Sequence, residues 1–331
     1  ALAAALAAAA LRAEGRSRAL AAGLALAVWW APQALPREFT TPTGTLGVAL
    51  LQGNVAQDQK FLPERLPEQL EWVGRTLVQS GADLAVAPET AIPLLPEQMP
   101  AGYWDALRGS FAEGGRAALV GVPLGSFAEG YTNSVAGLSA AAAAGPGGFY
   151  RYDKHHLVPF GEFIPFGFRW FVDLMAMPLG DFDRGPLDAP SFAVKGERIG
   201  PNVCYEDLFG EELAARFADP ARAPTIFANV SNIAWFGDTV AIDQHLQISR
   251  LRTLELQRPM LRATNTGATA VIDHRGVVTH ALAPHTRGVL EATVQGREGL
   301  TPYARWASAF GLWPLAIVAL AIVGAFALRR R

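Results

Sequence analysis

"RIGPNVCYEDLFGEELAARFA", residues 198–218, reads as one strand running into one helix. An apolar approach of strand length ends at Cys204, and a segment opening at Gly210 has helical character. The same unit recurs before it. "TLGVALLQGN" (45–54) reads as a strand, and "LPERLPEQLEWVGRTLVQSGA" (62–82) as a helix with a glycine stop. "ADLAVAPET" (82–90) reads as a short buried strand ending on Glu89, followed by a helix in "AGYWDALRGSFAEGG" (101–115). "RAALVGVPLG" (116–125), "YTNSVAGLSA" (131–140) and "GGFYRYDK" (147–154) read as strands, the last two around an Ala/Gly-rich turn. Beyond residue 218, "PTIFANVSN" (224–232) is strand-like. "DTVAIDQHLQISRLRTLELQR" (238–258) is a long helix whose apolar residues spread around its circumference, so it is expected to pack on both sides. "PMLRATNTGATAVID" (259–273) and "GVVTHAL" (276–282) read as strands joined by the hairpin "DHRG". "PHTRGVL" (284–290) reads as loop. Alternation early and hairpins late predict an α/β fold, an αββα sandwich with two sheets face to face and helices outside.

Both ends are more apolar than the middle. The chain of 331 residues is 50% hydrophobic and 18% charged, with a net charge of -2. That charge gives no reason to expect nucleic acid. Residues 306–328 carry no charge and precede Arg329, Arg330 and Arg331 (329–331). Their core, 310–328, would be about 28 Å long as a helix, close to one hydrocarbon thickness. The expectation is a C-terminal transmembrane helix with a cytoplasmic tail; a buried core helix is the competing reading. Residues 1–11 read as the end of a membrane helix, 12–18 as a basic cytoplasmic loop, and 19–36 as a second transmembrane helix with Trp29 and Trp30 at an interface. A signal peptide is the rival here. Residues 40–305 then form one extracytoplasmic domain. That compartment is oxidising, so a single retained cysteine stands out.

Glu89, Lys154 and Cys204 each fall at the end of an apolar strand, where sites form in α/β sheets. Each has an ordinary reading: a small core residue for Cys204, a helix-start acid for Glu89, a solvated cation for Lys154. Together they make a coherent set. A carboxylate can take the thiol proton, and an ammonium can steady the thiolate and then the oxyanion formed at a carbonyl. The outcome is acyl transfer through a thioester. No metal-ligand spacing accompanies the adjacent His155 and His156, so neither metal nor cofactor is expected.

"PET" (88–90), "YDKHHLVPFGEFIP" (152–165), "CYE" (204–206), "SNIAWFGDT" (231–239), "HLQISRLRTLELQRPMLRATNTG" (245–267) and "GLTPYAR" (299–305) resemble apolipoprotein N-acyltransferase, a membrane-embedded branch of the nitrilase superfamily. The resemblance implies a nitrilase-like αββα sandwich flanked by transmembrane helices in the inner membrane, with the catalytic domain periplasmic. It implies Glu89 as general base, Lys154 as catalytic lysine and Cys204 as acylated nucleophile. Glu162, Tyr205 and Glu206 match supporting active-site residues. Trp235 and Phe236 match a loop that lines or gates the site. The implied acyl donor is a phospholipid, typically phosphatidylethanolamine; the acceptor is the α-amine of the diacylglyceryl-cysteine that begins an apolipoprotein. The family commonly has more membrane helices before the catalytic domain, and a tryptophan where this chain has Phe61. Residues 158–183, with Phe160 and Phe163 among their aromatics, read either as a lid meeting membrane lipids or as an ordinary core-covering loop. The alternatives to acyl transfer are a membrane-tethered amidase acting on small amides and a non-catalytic scaffold that has kept the fold.

Overall fold

A computed structural model of the chain describes residues 11, 15–34, 36–164, 166–167 and 182–329. Residues 1–39 and 40–331 form two units. In the first, helix α1 (Gly15–Ala34) begins inside the segment read as a basic loop, so Arg16 and Arg18 are helical. Arginine is a good helix former and no breaker separates Gly15 from Leu20.

The second unit is the expected αββα sandwich. One sheet runs in the order β12-β1-β2-β3-β4-β5. Its strands are β1 (Thr40–Gln52), β2 (Leu84–Val86), β3 (Ala117–Ser126), β4 (Gly130–Leu138), β5 (Tyr150–Asp153) and β12 (Gly288–Gly299). The other runs β11-β10-β9-β8-β7-β6, from β6 (Phe192–Val194), β7 (Glu197–Val203), β8 (Ile226–Ser231), β9 (Met260–Thr264), β10 (Ala270–Ile272) and β11 (Val278–Ala281). β1, β2 and β3 are parallel neighbours, as are β7, β8 and β9; the outer strands pair antiparallel. The two triplets are thus equivalent in pattern, although the sequence shows no internal repeat.

Strand alternation builds the layers. Leu46, Val48 and Leu50 of β1 point between the sheets, where they meet Ile199, Val203, Val230 and Ala263. Ala49 and Leu51 point outward, onto α2 (Leu66–Gln79) and α3 (Tyr103–Gly109). The period of two makes both assignments at once. On the opposite face, α5 (Gly210–Ala215), α6 (Ala241–Leu256) and α7 (Pro302–Phe310) cover Phe227, Met260 and Ile272; a one-turn helix, α4 (Ala140–Ala143), sits in the 139–148 turn.

Three elements depart from the sequence reading. "PHTRGVL" is not all loop: Gly288–Leu290 start β12, which pairs with β1 over nearly its whole length. Its charged and glycine residues hid the alternation. α6 buries one face only, Ile242, His245, Ser249, Thr253 and Leu256, while Leu251 and Leu254 are exposed. Three of those buried positions are polar, so counting apolar residues pointed to the wrong faces. The C-terminal apolar segment is not one helix. α7 stops at Gly311, which adopts φ 55°, and α8 (Trp313–Arg329) leaves at 79° to it, with Pro314 in its first turn. A positive φ suits glycine, and proline suits a helix start. Among the described residues no single helix is long and apolar enough to cross a membrane, although α7 and the first part of α8 pass that test as a bent pair. Most of the aromatic stretch 158–183, including Phe168, Trp170 and Phe171, lies outside the described residues, as do residues 1–10 of the N-terminal reading.

Candidate active site

The site forms where β2, β5 and β7 end and β4 begins. Glu89 follows β2 in a turn that presses on β3. A Cβ on Gly121 would lie 2.1 Å from the Pro88 carbonyl oxygen and 2.7 Å from the Glu89 Cα, so only glycine admits this approach. The next residue, Thr90, sits at φ 50°. Lys154 follows β5 directly. Tyr152 faces the inter-sheet core, and two residues on, Lys154 faces the same way.

Glu89, Lys154 and Glu162 are joined through Asn133 of β4. The Asn133 side-chain amide donates to Glu89 Oε1 at 2.8 Å and to Glu162 Oε1 at 2.6 Å. Lys154 Nζ donates to Glu162 at 2.9 Å and lies 3.6 Å from Glu89 Oε1. The backbone N–H of Asn232 donates to Glu89 Oε2 at 2.7 Å, and that of Val158 to Glu162 Oε2 at 2.8 Å. Lys154 is 1% exposed. Burial alone would lower its pKa, but Glu89 and Glu162 outweigh burial and the ammonium is held well above the usual lysine range. Two carboxylates share this one cation.

Cys204 opens the turn after β7 with φ 54°, a left-handed conformation for a non-glycine residue. Such strain costs about 1–3 kcal/mol and persists where neighbours hold it. Here the Asn229 side chain donates to the Cys204 carbonyl at 2.7 Å. The side chain is half-buried, and the charges of Glu89, Lys154 and Glu162 reach it. Burial and Glu89 push the thiol up to about 12, with Lys154 acting in the opposite sense. The resting group is therefore a thiol at neutral pH. Lys154 favours the thiolate, against burial and Glu89, while its charge is also shared by the two glutamates.

Glu206 braces the turn. Its Oε2 accepts from the Val203 backbone N–H at 2.6 Å and from the Tyr152 hydroxyl at 2.8 Å; its Oε1 accepts from the backbone N–H groups of His155 and His156 at 2.7 and 3.1 Å. It thus ties the Cys204 turn to the chain just after Lys154, across the two sheets. Burial raises its pKa. Glu206→Ala would orphan four donors, and stability is expected to fall by roughly 3–5 kcal/mol. A chemical-denaturation curve checks this; an unchanged midpoint would contradict it. Tyr205 donates its hydroxyl to the Leu157 carbonyl at 2.9 Å and sets its ring 5.6 Å from Lys154 Nζ. Behind the turn, buried Asp207 meets Arg262, Ser249 and His245.

Phe61 is 55% exposed, Trp235 70% and Phe236 58%. Phe160 is held at φ 61° with its N–H donating to the Phe163 carbonyl, and Phe163 lies under the Arg184 guanidinium at 4.9 Å.

Residues 47–303 match the carbon-nitrogen hydrolase family. The chain belongs to that family. It is 60% identical over 276 residues to a Verminephrobacter eiseniae protein named apolipoprotein N-acyltransferase, covering 81% of this chain and 51% of that one. It is 51% identical over 296 residues to the Ralstonia nicotianae protein of the same name, covering 88% and 55%. The chain thus spans about half the length of these curated relatives. Among solved structures, a carbon-nitrogen hydrolase superfamily protein from Xanthomonas campestris, with an arsenic adduct in its active site, superposes with TM-score 0.55 at 19% identity, over 82% of this chain and 96% of that one. This last likeness concerns the fold of the family.

Sequence reasoning missed Asn133, Asn229, Asn232 and Lys60. For Asn133 a signal existed: the alternation that places Val135 between the sheets places Asn133 on the same face, a polar residue on an interior register. Lys60 gave none, since its place depends on how a loop folds back onto Glu89.

Proposed function

We propose that the chain carries the catalytic domain of an apolipoprotein N-acyltransferase, acting at the outer face of the inner membrane. The carrying observation is the hydrogen-bonded Glu89–Asn133–Lys154–Glu162 unit whose charges reach the one cysteine of the chain. The name shared by its relatives points to the same reaction.

Glu89 takes the proton of the Cys204 thiol as sulfur attacks the ester carbonyl of a phospholipid such as phosphatidylethanolamine. The ammonium of Lys154 faces the negative charge that develops. The carbon–oxygen ester bond breaks, Glu89 returns the proton to the departing glycerol oxygen, and a lysophospholipid leaves. The acyl chain stays on sulfur as a thioester. In the second half the α-amine of a diacylglyceryl-cysteine attacks that thioester, Glu89 takes an amine proton, an amide forms, and the proton returns to sulfur. Glu162 and Glu206 hold Lys154 and the nucleophile turn, and Tyr205 covers the ammonium. Phe61, Trp235, Phe236, Phe160 and Phe163 provide apolar surface for the acyl chains and for excluding water.

The apolar side chains exposed along α8, from Trp313 and Leu315 to Ile322 and Val323, support seating in lipid. A small-amide hydrolase would use the same three residues but has no need of such surfaces. The test is incubation of the full chain in detergent micelles with phosphatidylethanolamine and a diacylglyceryl lipopeptide. Transfer predicts a lipopeptide heavier by one fatty acyl group. Hydrolysis of small aliphatic amides with no lipopeptide product would establish the amidase instead.

A further inference from the structure

Lys60 has no part in that scheme, yet it is placed as a member of the site. It belongs to a surface loop between β1 and α2 but is only 3% exposed. Its Nζ donates to the backbone carbonyl of Glu89 at 3.0 Å, the one hydrogen bond its ammonium makes among the described residues. An ammonium carries three donors, and burying it without a bonded carboxylate is costly. Capping one carbonyl does not require a charge; a neutral amide would serve.

The surrounding charges give the reason. The charge of Glu89, just after β2, reaches Lys60, as does that of Cys204 in the turn after β7. Arg287 lines the same small cavity, but its guanidinium is held by Glu68 at 2.8 Å and lies over Trp72. Asp58 and Glu64, on the loop of Lys60 itself, are exposed. Lys154 is shared by two glutamates, so the site without Lys60 is already net negative before the thiol ionises. We infer that Lys60 is the second cation of the active site, a positioning residue that anchors the base through the Glu89 carbonyl and offsets the negative charge that passes from Glu89 to sulfur when Cys204 gives up its proton. The inference rests on Cys204 and Glu89 acting as proposed above.

Burial draws Lys60 down to about 8, with Glu89 and Cys204 pulling the other way. It is therefore charged at neutral pH and loses its charge just above. Acyl-enzyme formation is expected to slow as pH rises through that value. The test uses the full chain in detergent and p-nitrophenyl butyrate, following the burst of nitrophenolate across neutral and alkaline pH. The parent is expected to show a burst with an alkaline decline centred near pH 8. Lys60→Arg keeps the charge and is expected to burst at neutral pH with the decline removed. Lys60→Met is expected to burst about tenfold more slowly at neutral pH, equivalent to one unit of pKa, and without the decline. If Lys60→Met loses its melting transition, the Lys60→Arg profile still decides. Parent-like profiles in both variants, or an undiminished decline in Lys60→Arg, would overturn the role of Lys60 alone. No burst in the parent, or a burst that survives Cys204→Ala, would overturn both this role and the proposed nucleophile.

Discussion

Cys204→Ala and Cys204→Ser are each expected to abolish acyl transfer, a loss on the order of 10⁴-fold or more, while the chain still folds. Alanine removes the atom that carries the acyl group. Serine keeps an attacking oxygen, but a hydroxyl holds its proton far more tightly than a thiol. The site offers it little help. The thiol is already pushed up to about 12 by burial and Glu89, and the Lys154 charge is engaged by two carboxylates. Folding should survive because the turn is held by groups other than sulfur: Asn229 on the Cys204 carbonyl, and Glu206 on the backbone of Val203 and on the chain after Lys154. Lipopeptide acylation and circular dichroism on the same preparation check both halves. Transfer retained by Cys204→Ala would remove the thioester from the scheme.

Glu89→Gln is expected to slow thioester formation by about 10²–10⁴-fold, the usual contribution of a positioned base. The geometry adds a second loss. Glu89 is surrounded by donors: the Asn133 amide and Lys154 at one oxygen, the Asn232 backbone N–H at the other. A glutamine has one oxygen and one NH₂, so whichever way it turns, an NH₂ confronts a donor. Asn133 or Asn232 must then move, and Asn133 also orders Glu162. The variant should therefore lose burst rate and also some thermal stability. Rapid-quench measurement of the acylated protein is the check; full-rate acylation in Glu89→Gln would take the base role from this residue.

The layers of the sandwich were legible because the signal was local. The alternation of Leu46, Val48 and Leu50 against Ala49 and Leu51 gives two faces, and strand ends on Glu89, Lys154 and Cys204 give three polar residues at one edge. What escaped notice was set by contacts distant in the chain. β12 earns its place by pairing with β1, more than 200 residues away, although Glu291, Arg297 and its glycines look like loop. Lys60 reaches the carbonyl of a residue 29 positions on, and Asn133 bridges Glu89 and Glu162, which lie 44 and 29 positions from it. The hydrophobic C-terminal segment was recognised by composition, but composition is blind to the left-handed φ at Gly311 that turns it. The polar inner face of α6 misled for a related reason: His245 and Ser249 are buried because Arg262 and Asp207 meet them there.

The most direct measurement is the mass of the full chain after brief exposure to phosphatidylethanolamine in the absence of any lipopeptide, followed by peptide mapping. One fatty acyl group should reside on the peptide containing Cys204, and neutral hydroxylamine should release it, as expected of a thioester. An unmodified Cys204 peptide from protein that goes on to acylate added lipopeptide, or an acyl group mapped to another side chain, would contradict a sulfur-borne intermediate.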